Sequence, residues 1–162
     1  ENSASNSAAA SATLIRLGGN YQLWDGVPSS FGNLTWSQWA THSSSMDAAT
    51  PLSVVAGTAS LIKGGAGGIW SLIGASLLTN DINNVMGEAF FQNVVSNATV
   101  LPGGTKTAYA RVYESHAQSY SGTLQYSRVY VTYYTNSSYS TSCGTTNTLC
   151  LYAWPTGSRV AE

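Results

Sequence analysis

In the stretch LQYSRVYVTYY the side chains separate with the two-residue period of a β-strand. Leu124, Tyr126, Arg128, Tyr130, Thr132 and Tyr134 fall on one face, and Gln125, Ser127, Val129, Val131 and Tyr133 on the other. Neither face is cleanly apolar, so tyrosines bridge core and solvent. Residues Thr105 to Tyr113 share the same richness in Tyr, Val and Thr. The pattern therefore predicts strands over Thr105–Tyr113 and Thr123–Thr135, joined by the turn SYSG at 119–122, with a further strand over Leu149–Trp154. Earlier strands are expected at Leu34–Trp39 and Leu52–Leu61. The most apolar stretch, Val54 to Leu78, is broken by Lys63 and the glycines of KGGAGG. It predicts buried strand segments around a glycine turn, Leu61–Ile62 before it and Ile69–Leu78 after it. Asp81–Val95 fits a short helix or a strand with a bulge near Gly87, and we take the strand. Short strands punctuated by Gly, Pro, Ser and Asn predict an all-β sandwich.

The length of 162 residues implies one domain. Charged residues make up 8% of the chain against roughly 25% in ordinary soluble domains, and the net charge is -1. Nucleic acid and anionic membranes, which select basic patches, are disfavoured as partners. Polarity is carried instead by 24 serines and 17 threonines. Such a hydroxyl and amide surface keeps its character when carboxylates protonate, which suits an acidic exterior and equally an ordinary secreted β-protein. Glu1 leads into polar residues with neither a basic start nor an apolar run, the expectation for a processed chain. Val54–Leu78 is too interrupted to span a membrane.

Cys143 and Cys150 flank GTTNTL. Six intervening residues suit a disulfide across a hairpin base, with two free buried thiols as the other reading. The sequons Asn33-Leu-Thr, Asn97-Ala-Thr and Asn136-Ser-Ser agree with an extracellular location and N-linked glycans, most of all Asn136 in TNSSYSTS.

Catalytic signals are sparse. Glu88 in MGEAFF and Glu114 in RVYESH are the interior glutamates from which a glycosidase would draw its two carboxylates, but neither context resembles jelly-roll xylanases. His116 shares a strand face with Glu114, and His42 is a third potential metal ligand. No Ser-His-Asp arrangement or phosphate-binding loop stands out, so no catalytic residue, metal or cofactor is expected. Tryptophans 24, 36, 39, 70 and 154 would make a sugar-stacking platform if several reached one exposed face, so the alternative function is a secreted carbohydrate-binding β-sandwich module or a small glycosidase-like domain.

The amino terminus, ENSASNSAAASATLIRLGG, carries its own alternation: Ala8, Ala10, Ala12 and Leu14 on one face, Ser7, Ala9, Ser11 and Thr13 on the other. An alanine-rich helix is the competing reading. An extended Ser/Ala/Asn-rich amino terminus, a hydroxyl-rich β-domain, sequons and scarce charge together resemble the subunits of archaeal threads, surface filaments similar in architecture to bacterial type 1 pilins. The late, local cysteines depart from bacterial pilins. The resemblance implies an immunoglobulin-like or pilin-like sandwich at residues 20–162, preceded by a donor strand and hinge at residues 1–19. It further implies a homopolymer at the cell surface, active in adhesion or biofilm formation, in which Ala8, Ala10, Ala12 and Leu14 enter the groove of the adjacent identical subunit.

Overall fold

The computed structural model describes residues 14–16, 21–24, 34–66, 70, 75–120, 124–143 and 149–155. Its strands are β1 (Leu14–Arg16), β2 (Tyr21–Trp24), β3 (Trp36–Asp47), β4 (Thr99–Val100), β5 (Lys106–Tyr120), β6 (Leu124–Tyr134) and β7 (Leu149–Pro155). They form one antiparallel sheet in the order β1-β2-β7-β6-β5-β3, with the short β4 pairing β5 outside that path. Among the described residues three α-helices interrupt the strands: α1 (Pro51–Leu61), continued by a π-helical turn over Ile62–Ala66, then α2 (Ala75–Met86) and α3 (Glu88–Asn97).

The antiparallel expectation for the second half holds. β6 lies within Thr123–Thr135, β7 matches Leu149–Trp154 to within one residue, and β5 runs beyond Tyr113 to Tyr120. β5 and β6 pair to Tyr120↔Leu124, so Ser119 and Tyr120 of the expected turn are strand, and residues 121–123 lie outside the description. The expected strand at Leu34–Trp39 starts at Trp36 and extends to Asp47, with its register shifting between Gln38 and Ala40.

The middle of the chain corrects the all-β sandwich, because the layer over the sheet is helical. Leu52–Leu61 is helix, the Lys63–Ala66 part of the glycine run is a π-helical turn, and Asp81–Val95 lies in α2 and α3. Of the strand expected at Ile69–Leu78, residues from Ala75 onward are helical. Local chemistry favours this outcome. Thr50 caps α1 by accepting the Ser53 N–H at 3.0 Å, and Ser53 Oγ accepts the Thr50 N–H at 3.1 Å. Pro51 then occupies the first turn, where its missing N–H costs nothing. The β-branched Val54 and Val55 carry a small helical penalty that burial outweighs.

The core lies between the helices and one sheet face. Ala108, Ala110 and Val112 of β5 and Val129, Val131 and Tyr133 of β6 meet Val54, Val55, Ala59 and Ile62 of α1 and its continuation, Leu78 and Ile82 of α2, and Phe91 and Val94 of α3. α1 approaches β3 closely: a Cβ on Gly57 would stand 2.8 Å from Met46 Cβ. The buried Tyr133 hydroxyl lies 2.8 Å from Thr58 Oγ1, which also donates to Val54 O at 2.7 Å. Lys106 Nζ donates to Val95 O at 2.6 Å, placing a cation at the carboxyl end of α3. No helix among the described residues is long and apolar enough to cross a membrane.

Candidate functional site

β3 forms one edge of the sheet, with no partner on its outer side among the described residues. The Ala48 N–H donates to Lys106 O at 3.0 Å, just beyond the pair Asp47↔Thr107. Antiparallel alternation then turns the backbone groups of Thr41, Ser43, Ser45 and Asp47 outward. One of those outward carbonyls, on Ser45, takes only the neighbouring Ser44 hydroxyl at 3.1 Å. Beside this edge lies an open cleft of about 620 Å³, bounded by residues 42–47 of β3 and by Ser53, Ala56, Gly57 and Ser60 of α1 with Gly64 beyond it. The side chains on both walls are mostly small. His42 and Ser44 share the helix-facing side with Met46, yet they are exposed, because α1 covers β3 only near the Gly57–Met46 contact.

The interior holds a second polar arrangement. Glu114 is completely buried on the helix-facing side of β5. Ser127 Oγ donates to Glu114 Oε2 and accepts the N–H of the buried Trp70 at 2.7 Å. Glu114 Oε1 has no hydrogen-bond partner among the described residues. Burial raises the Glu114 carboxyl to about 7, opposed by the Ser127 hydrogen bond. The same loss of hydration raises Asp81, whose Oδ2 is likewise unpartnered. Glu114 is thus a core carboxyl facing no solvent, while Glu88 is exposed in the first turn of α3. They do not flank a common cleft. The His42 imidazole makes no hydrogen bond among the described residues, Asp47 Oδ1 accepts the Ala49 N–H at 3.0 Å, and the side chain of His116 lies outside the description. No group of three potential metal ligands is present among the described residues.

The opposite sheet face carries Tyr109, Arg111, Tyr113 and Ser115 of β5 beside Tyr134, Thr132, Tyr130 and Arg128 of β6. All are half-buried, and no described helix packs there. The Arg128 guanidinium lies 4.4 Å from the Trp36 ring and 5.1 Å from the Tyr130 ring. Arg111 lies 4.6 Å from the ring of Tyr139. Of the tryptophans considered for sugar stacking, Trp70 is sealed in the core and Trp36 sits against Arg128. The side chains of Trp24, Trp39 and Trp154 lie outside the description.

Ala8, Ala10, Ala12 and Asn33 also lie outside the described residues. Leu14 pairs with Trp24 in the chain's own sheet, as part of β1. Asn97 is exposed at the end of α3, its amide turned back to Asn93 O at 2.9 Å. Asn136 is occupied: its Nδ2 donates to Ser138 and Ser140 hydroxyls at 2.5 and 2.7 Å, and its Oδ1 accepts the Ser140 and Thr141 N–H groups at 3.1 and 3.0 Å. It organises a loop.

The expected Cys143–Cys150 bridge is not formed in this structure: Cys143 is a free, buried thiol donating to Val94 O at 3.4 Å. Backbone register explains this. The Cys143 N–H bonds Tyr133 O, whereas Cys150 pairs with Tyr130, three residues along β6. That offset is about 10 Å, beyond the roughly 7 Å that a disulfide spans.

Reading by alternation alone placed Ser127 on the face of Val129 and Val131, which marks it as a core hydroxyl in need of a partner. Glu114 follows Val112 in the same manner. The partner from outside the sheet, Trp70, carries no local signal. No protein-family model matches the chain, and neither a curated protein nor a solved structure matches it.

Proposed function

We propose that this protein is a non-catalytic structural subunit of an extracellular filament, assembled head to tail when the amino-terminal segment of one copy adds to the sheet of the next. The observation that supports this reading is the outward edge of β3 beside a cleft walled by small residues. A 12-residue edge strand whose outer side meets no neighbouring strand among the described residues invites strand addition, and unprotected edges of that length are otherwise an aggregation hazard. The added segment is Ser3 to Thr13, whose Ala and Ser side chains match the small residues of the cleft. Its backbone supplies ladder hydrogen bonds to Thr41, Ser43, Ser45 and Asp47. Entry at this edge extends a helix-backed sheet, in place of the pilin-like sandwich that the archaeal-thread resemblance implies. Leu14 marks where the chain returns to its own sheet. Asn97 is the better-placed glycan acceptor, since a glycan on Asn136 displaces one of the hydrogen bonds that hold its loop.

Electron microscopy and light scattering of three proteins test the reading. The intact chain forms filaments, and deletion of residues 1–12 abolishes them. Ser45→Pro, which removes an outward N–H without touching the ladder to β5, abolishes them as well. A monodisperse 17.0 kDa intact protein, or filaments from either variant, overturns the proposal.

A further inference from the structure

We propose that the outer sheet face around Arg111 is a binding site for a carboxylated sugar, such as a uronic acid unit of a polysaccharide. The site adjoins the β3 edge, sharing Ser43 through its side chain, but does not rest on the assembly reading. Arg111 Nε donates to Ser43 Oγ at 3.0 Å, and the guanidinium lies 4.6 Å from the Tyr139 ring. Both contacts fix the plane of the fork. Its Nη groups make no hydrogen bond or ion pair among the described residues, which leaves a half-buried cation held in one orientation without a counter-ion. Asp47, the carboxylate on this face of β3, stands four residues from Ser43, about 13 Å along the strand.

The aromatic partner is held there against its backbone preference. Tyr139 has φ 57°, the left-handed region that a non-glycine residue adopts at a cost. The loop enforces it through the Asn136 hydrogen bonds, the Tyr139 N–H to Asn136 O at 3.0 Å, and the Thr135 N–H to Thr141 O at 2.9 Å. Tyr139 stands edge-on between the cross-strand pair Tyr109 and Tyr134, at 89° and 86° to their rings. The hydroxyls of Tyr109, Tyr113 and Tyr139 are uncommitted among the described residues, whereas Tyr134 accepts from Thr132 at 3.0 Å.

The ligand class follows from these groups. A fork with a free end prefers a carboxylate. Phenol, Ser43 and Thr132 hydroxyls around it match a molecule rich in hydroxyls, and half-exposed rings offer apolar edges to sugar C–H faces. Two copies meeting face to face would oppose cation to cation.

Isothermal titration of the intact protein with an oligogalacturonate, its methyl ester and an oligoglutamate provides the test. The oligogalacturonate binds, the ester binds roughly 10- to 100-fold more weakly, and Arg111→Gln loses affinity to a similar extent. Arg111→Lys, which keeps the charge and loses the fork, falls between. Thermal unfolding establishes that the variants fold, and filament imaging separates loss of the sugar site from loss of assembly. No binding of the oligogalacturonate, equal binding of the ester, tighter binding of oligoglutamate, or undiminished affinity in a folded Arg111→Gln protein each overturns the proposal.

Discussion

Replacing Glu114 by Gln changes how stability depends on pH. The folded chain holds the Glu114 proton to about pH 7, whereas a solvated glutamate releases it near 4.5. Between those limits the unfolded chain releases a proton that the folded chain keeps, so stability falls as pH rises. The contribution is fully present below about pH 4.5 and lost by about pH 7, a difference of about 3 kcal/mol. In Glu114→Gln the carbonyl end accepts the Ser127 hydroxyl, and the amide N–H₂ replaces the unpartnered Oε1. The amide leaves two N–H donors unmet where the protonated carboxyl leaves one O–H, which costs roughly 1 to 3 kcal/mol relative to the protonated parent. The variant is therefore less stable than the parent at pH 4 and equal or more stable at pH 8, so the two stability curves approach or cross. Urea unfolding followed by tryptophan fluorescence at intervals from pH 4 to 8 measures this. In thermal scans the lost contribution corresponds to roughly 6 to 12 °C for a chain of this size. Asp81 shifts in the same direction, so Glu114→Gln retains part of the parent slope and Asp81→Asn removes that part. A parent whose stability is flat or rises from pH 4.5 to 7, or a Gln variant with the parent's full slope, refutes the reasoning.

Ser127→Ala strips partners from both the Trp70 N–H and Glu114 Oε2; we expect a loss of about 3 kcal/mol in urea unfolding at pH 5, and a loss below about 0.5 kcal/mol contradicts the buried chain. Gly57→Ala gains about 1 kcal/mol in helix propensity but drives its Cβ into Met46, so the net effect is destabilising by about 1 to 2 kcal/mol, and a stabilised variant refutes the close approach. Thr50→Ala removes the cap of α1 and lowers stability by about 1 kcal/mol in the same assay. Burial pushes the Cys143 thiol up, so iodoacetamide labels it in urea and spares it in the native protein at pH 8; peptide mapping that recovers a Cys143–Cys150 disulfide from native material overturns this.

The strands of the second half were legible because their signal is local. Alternation over Leu124–Tyr134 is decided by neighbours two residues apart, and it set Ser127, Val129, Val131 and Tyr133 on one face; that this face is the buried one came only from the fold. The middle segments misled because buried helices and buried strands are both apolar. The distinguishing signs were present: Thr50-Pro51 before α1, Leu78, Ile82 and Val85 at helical spacing in α2, and Phe91, Val94, Val95 and Ala98 at and beyond α3. High β-propensity at Val54 and Val55 masked them, and tertiary burial overrode that propensity. Cysteine spacing suggested a bridge, since sequence separation says how short a loop is but leaves the strand register open. The register placed Cys143 against Tyr133 and Cys150 against Tyr130. The sequence by itself determined the antiparallel strands, the low charge and the hydroxyl-rich surface, because composition and short-range periodicity suffice for each. Only the tertiary structure decided that β3 is an edge, that Trp70 meets Ser127 across 57 residues, and that Tyr139 folds over Arg111. Those contacts join residues distant along the chain, and no local pattern encodes which of them packing and hydrogen bonding bring together.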